Sequence, residues 1–140
     1  MAKSEYLKEC LFKEIEIIQE IIKRMAYNSF MIKGWAVTLV VVTLLLRGTK
    51  IQAFIAFIPL FVFWFLDAYF LWQERMYRKL YDWVVRNRWE TDEYLFDLNA
   101  YRFRNEVQSR LRIMFSITLV WFYGSVTLLV LLYCASLFLW

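Results

Sequence analysis

The sequence predicts an all-α membrane protein: three transmembrane helices with an N-terminal amphipathic helix and a cytosolic helical region. Two observations about composition predict it. Hydrophobic residues make up 61% of the 140 and aromatic residues 21%, far above the roughly 45 to 50% apolar usage of soluble domains. That excess falls in three blocks, Phe30 to Leu46, Ile51 to Trp72 and Ile113 to Trp140, while the segments between them hold nearly every charge. Each block is about as long as the 20 apolar residues that cross a bilayer. The third observation is continuity: from Ile51 to Arg88 no break signal interrupts the chain, so an apolar span should run on into a charged helix as a rod of roughly 57 Å. The expected organisation is an amphipathic cytosolic helix over residues 1–29, a transmembrane hairpin over 30–72, a cytosolic helical region over 73–112 and a third transmembrane helix over 113–140.

In the first segment Leu7, Leu11, Ile15, Ile18, Ile22 and Met25 recur at steps of four, four, three, four and three, the period of one helical face. Ser4 is the expected N-cap, and Glu5 and Glu9 suit the helix dipole. With Ile17 and Ile21 the stripe is wider than a coiled-coil seam. It fits packing against this protein's own cytosolic helix or a sister subunit, and it also fits lying flat on lipid headgroups. An amphipathic, charged start is not a secretory leader, so no cleavage is expected.

The first span, FMIKGWAVTLVVVTLLL, carries Lys33 and Gly34 near its start. RGTK then predicts a tight turn, and the first two spans an antiparallel hairpin. The stretch up to Lys33 and the segment Gln73 to Arg112 hold fifteen of the seventeen Lys and Arg. The bias of basic residues toward the cytosol therefore places the N-terminus and the long loop inside, in a multi-pass membrane protein.

Along the charged half of the rod Glu74, Arg78, Asp82 and Arg86 stand four apart with alternating sign, which supports a helix. Met76, Leu80 and Trp83 need cover that the N-terminal stripe would supply. WETDEYLFDLNA breaks the period, with Thr91 or Asp92 expected to cap a further helix over Tyr101 to Arg112. In the last span Gly124 beside Ser125 suits a close helix neighbour or a kink. Trp35, Tyr69, Trp72 and Trp140 fall at predicted span ends as an interfacial belt, whereas Trp64 and Trp121 should pack between helices.

Asp67 is the sharpest single signal, because an ionisable residue in an apolar span costs about 2.5 to 3.5 kcal/mol on insertion scales and normally has a partner. Folding the hairpin about its turn brings Lys33 level with Trp64, about 4.5 Å along the axis from Asp67. An intramembrane pair of Lys33 with Asp67 is expected, either as a charge pair that fixes helix register or as part of a pore, a gate or a protonation site. Pro59, mid-span, is a hinge candidate, although spanning helices also tolerate proline for packing alone. Arg86, Arg88, Arg102 and Arg104, interleaved with Trp89, Tyr94 and Phe103, are candidates for a soluble partner or a nucleotide-type ligand, and equally read as interfacial anchors.

Cys10 and Cys134 lie in different blocks and are expected to be free. The chain has no His, and no zinc set, phosphate loop or catalytic triad is present. No enzyme activity and no cofactor are expected. The net charge of +4 is what span-flanking basic residues produce, so nucleic acid is not an expected partner.

Three motifs add a resemblance. Asn28, Ser29, Phe30, Lys33, Gly34 and Trp35 form the first; Phe63, Trp64, Leu66, Asp67, Ala68, Tyr69, Leu71, Glu74, Arg75, Arg78, Leu80 and Tyr81 the second; Phe115, Ser116, Thr118, Phe122, Tyr123 and Gly124 the third. On these the chain resembles a family of small, uncharacterised bacterial membrane proteins. The resemblance implies a component of a bacterial defence or signalling system. It points to a homo-oligomeric inner-membrane effector that forms a pore or perturbs the bilayer. The alternative is a membrane anchor or scaffold that recruits a soluble partner.

Overall fold

The structure, a computed structural model, describes residues 2–46 and 50–139, with side chains over 4–46 and 53–137. It is all helical, with no strand among the described residues. Helix α1 spans Ala2–Leu45, a 3-10 segment spans Lys50–Ala56, and α2 spans Phe57–Asn87. After a loop come a second 3-10 segment, Ala100–Glu106, the short α3, Arg110–Met114, and α4, Ile117–Leu139. Among the described residues three helices are long and apolar enough to cross a membrane. The protein is an all-α membrane protein.

Helix α1 is one continuous helix of 44 residues that joins the amphipathic segment to the first span. Nothing between Tyr27 and Lys33 can break it, since Asn28 and Ser29 are weak helix formers and not breakers. Ser4 lies inside α1 and caps nothing, because the helix already starts at Ala2. The RGTK turn falls largely outside the described residues.

The second span begins with the 3-10 segment Lys50–Ala56, which passes directly into α2. Pro59 is the third residue of α2, so it stands where the 3-10 form gives way to α-helix, and its missing N–H leaves the carbonyls of the preceding turn without that donor.

The chain divides into two compact units, and α1 and α2 each contribute residues to both. The polar unit comprises Met1–Tyr27 and Leu71–Gln108, and the span unit Asn28–Phe70 and Ser109–Trp140. In the polar unit, Leu7, Cys10, Leu11, Glu14 and Ile18 of α1 and Met76, Leu80 and Val84 of α2 are buried. Their spacings of three and four describe one face on each helix. The Glu74 to Arg86 ladder shows its first rung, with Arg78 donating from Nε and Nη2 to Glu74 Oε1 at 2.9 and 2.7 Å.

Neither Thr91 nor Asp92 caps a helix. Thr91 Oγ1 accepts from Glu93 N at 3.1 Å, closing a local turn, and the next helical segment is capped by Asn99, whose side chain accepts from Tyr101 N. The expected single helix over Tyr101 to Arg112 is broken at residues 107–109, where Val107 is extended and Ser109 caps α3 through Arg112 N. A fresh Ser cap competes with continuation of the preceding helix.

In the span unit Leu60, Ala36, Val40, Leu119 and Val130 are fully or almost fully buried, while Phe61, Val62, Ile117, Leu129 and Leu132 face outward. An apolar outer face of this kind suits lipid. Trp121 belongs to it, at 76% exposed, so it does not pack between helices of this chain. Trp72 is likewise corrected from belt to core: it is buried, with Tyr101 edge-on at 5.8 Å. Trp140 lies outside the described residues. At Gly124 an added Cβ would meet only Val120 of its own helix, at 4.0 Å, so among the described residues no other helix approaches it closely.

Candidate functional site

All three spans meet at Asp67. The helical period puts Ser29 and Lys33, four apart, on one face of α1, and the structure brings both to the carboxylate. Lys33 Nζ lies 2.6 Å from Asp67 Oδ2. Ser29 donates to Asp67 Oδ1 and accepts from Lys33 Nζ at 2.8 Å. From α4, Tyr123 donates to Asp67 Oδ2 at 3.1 Å, and its hydroxyl also lies 3.3 Å from the Phe63 carbonyl. A phenol has one proton, and the charged acceptor is the stronger partner.

Asp67 is fully buried and Lys33 is about a quarter exposed along its side chain, at 23%. The cluster is neutral as a whole and its carboxylate accepts from three donors, which is what a charge pair in a low-dielectric interior requires. Trp64 fixes the approach of α4. It stacks on Tyr123 at 5.6 Å, meets Phe115 edge-on at 5.9 Å and donates from Nε1 to the Met114 carbonyl at 2.9 Å.

The polar unit holds a second buried ion pair, which sequence reasoning did not find. Arg88 donates from Nε to Glu14 Oε2 at 2.6 Å and from Nη2 to Glu14 Oε1 at 3.0 Å, with both residues essentially fully buried. The rest of its fork goes to the loop: Nη1 to the carbonyls of Thr91 and Glu93 at 2.9 and 2.8 Å, and Nη2 to that of Tyr94 at 3.1 Å. A guanidinium has five N–H groups, and five bonds are made. Phe96 N completes the set by donating to Glu14 Oε1 at 2.7 Å. Tyr94 and Phe96 have φ of 54° and 56°, a left-handed backbone that aromatic residues adopt only when the surroundings enforce it.

The four arginine candidates therefore separate. Arg88 is withdrawn from ligand binding, because its donors are consumed in holding the loop to α1. Arg102 is half-buried against the faces of Tyr94, Trp83 and Phe103, at 4.4, 4.5 and 5.1 Å. Its Nε and Nη2 have no hydrogen-bond partner, so ring faces take the place of acceptors. Arg86 and Arg104 are exposed and do not join either cluster. The phenol of Tyr6 is raised above its ordinary range, first by its hydrogen bond with Cys10 and further by the carboxylates of Asp92 and Glu9, which sets the loop beside the start of α1.

One sequence signal existed for Glu14. Leu7, Leu11, Glu14 and Ile18 are spaced four, three and four apart, so a carboxylate stands in the middle of an apolar stripe. Tyr123 carried no comparable periodic signal, being one aromatic among many in an apolar block, and stood out only within the third motif of the resemblance. Both cysteines are free and buried. Among the described residues no group of His, Cys, Asp and Glu is placed to hold a metal ion. Comparison with protein-family models, with curated proteins and with solved structures finds no match.

Proposed function

We propose that this protein is a membrane-anchored platform: its spans hold it in the bilayer and its polar unit recruits a soluble partner. The observation that carries this reading is the closure of the Asp67 cluster. Lys33 and Asp67 neutralise one another within the spans, and Ser29 and Tyr123 donate to the same carboxylate. Of the hydroxyls elsewhere on the spans, Thr38, Thr43, Thr127 and Ser136 donate to carbonyls three or four residues back on their own helices, and Tyr133 donates to the Leu44 carbonyl of α1. A conduit for ions needs polar groups turned toward water, and these are turned away from it. What remains chemically open is the polar unit, where Tyr6, Phe12, Trp89 and Tyr94 are each more than half exposed. Exposed aromatics beside acidic residues suit a protein contact. In this reading the protein sits in a bacterial inner membrane with the polar unit cytosolic, as the distribution of basic residues favours.

The test is two-sided. Chemical cross-linking in native membranes should capture one soluble protein at fixed stoichiometry, and Trp89→Ala with Tyr94→Ala should abolish the capture. Vesicles containing the purified protein should keep a potassium gradient as long as empty ones.

A second reading, a homo-oligomeric effector that breaches the membrane, has one observation in its favour. Nothing lies within 4 Å of a Cβ added at Gly34, and at Gly124 only the same helix does, so both positions admit close approach by another copy. Gradient loss on reconstitution would favour it over the platform.

A further inference from the structure

We propose that the groove beside Arg75, Arg78 and Lys79 binds the phosphodiester headgroup of an anionic glycerophospholipid. The groove has a volume of about 340 Å³ and is lined by these three cations with Asp82, Glu106 and Gln108 among others. A neighbouring depression of about 440 Å³, lined by Lys23, Ile22 and Tyr81 among others, shares Arg78 and Asp82 with it. Together the two present four cations, Lys23, Arg75, Arg78 and Lys79, and two lining carboxylates, Asp82 and Glu106.

Two of the cations are held in place before any ligand arrives. Gln108 Oε1 accepts from Arg75 Nη1 at 3.1 Å, and Glu74 holds Arg78 through Nε and Nη2. One N–H of Arg75 and two of Arg78 are thereby engaged, out of five on each guanidinium. Anchored forks with donors to spare lose little entropy on gripping a phosphate. Both depressions fall within the size of ordinary ligand sites, roughly 300 to 1,000 Å³.

The position in the chain selects a lipid over a free phosphate. Arg75, Arg78 and Lys79 follow Trp72, the end of an apolar block, by three, six and seven residues, and Lys23 precedes Phe30, the start of another, by seven. Within about two helical turns of an apolar span a side chain is at headgroup depth. Basic clusters placed there attract anionic lipid. Ile22, Tyr81 and Val107 supply apolar contact for the glycerol and the first acyl carbons. The inference stands whether or not a soluble partner is recruited.

Native mass spectrometry of the full-length protein in detergent tests it, with phosphatidylglycerol and phosphatidylcholine of identical chains as probes. Phosphatidylglycerol should be retained preferentially. Arg75→Gln combined with Lys79→Gln should lower that retention roughly tenfold, and Lys13→Gln, an exposed lysine outside the groove, should leave it unchanged. Asp82→Asn removes a competing carboxylate and should raise retention, which keeps the idea testable should the double variant fold poorly. Equal retention of the two lipids, or no rise with Asp82→Asn, overturns the proposal. Displacement of the lipid by millimolar inorganic phosphate overturns it too, since the site would then serve a free anion.

Discussion

At Asp67 one carboxylate holds three helices, so its removal should cost more than any single bond it makes. Asp67→Asn leaves Lys33 without a counter-charge. Breaking a buried pair costs about 3 to 5 kcal/mol, and the partial exposure of Lys33 sets the expectation at about 3. Lys33→Met with Asp67→Leu removes both charges but strips the Ser29 hydroxyl of both its partners, while Tyr123 keeps the Phe63 carbonyl at 3.3 Å, so that pair should still cost about 1 kcal/mol. Adding Ser29→Ala should recover most of it. Unfolding in detergent followed by near-ultraviolet dichroism orders the three variants. A silent Asp67→Asn would show that the pair contributes nothing. Arg88 makes a sharper case for geometry, because Arg88→Lys keeps the charge and loses the fork. It should raise hydrogen exchange at the Phe96 amide and over residues 91–96, while exchange in the spans stays unchanged. The two pairs differed in how far the sequence exposed them. A charge in an apolar block is conspicuous, as Lys33 and Asp67 were; Glu14 is one of several acids in a charged segment, and only its position on the Leu7 to Ile18 stripe distinguishes it.

The helices themselves show which local signals survive tertiary context. The period of the Leu7 stripe and the length of the apolar blocks were legible, because both are written in many residues at once. The boundaries were not. Ser4 reads as a cap and lies inside α1, whereas Asn99 and Ser109 do cap segments and sit in stretches whose period had already failed. Ser109→Ala should therefore loosen the start of α3 by about 1 kcal/mol, seen as faster exchange at the Arg112 amide. Pro59 stands where the 3-10 segment passes into α2. Alanine there would offer an N–H to the carbonyls of the preceding turn, so Pro59→Ala should stabilise the span by up to about 1 kcal/mol. Altered function at unchanged stability would mark Pro59 as a hinge. The loop from Arg88 to Asn99 was unreadable for a different reason: its shape is imposed by Glu14, some 74 residues away in sequence from Arg88.

For the whole molecule, a membrane part with its charges closed off is joined in one chain to a polar part whose loop is pinned in a strained conformation. An anchor needs the first, and a surface offered to a partner is served by the second, because a preformed loop loses little entropy when it is bound. The alternative, a conducting assembly, needs the Asp67 cluster to open or another polar seam to form between copies. Ion flux across vesicles containing the purified full-length protein decides between them most directly. The platform account predicts that a potassium gradient decays no faster than in protein-free vesicles, for the parent protein and for Asp67→Asn alike. Flux from the parent protein that Asp67→Asn abolishes would contradict it.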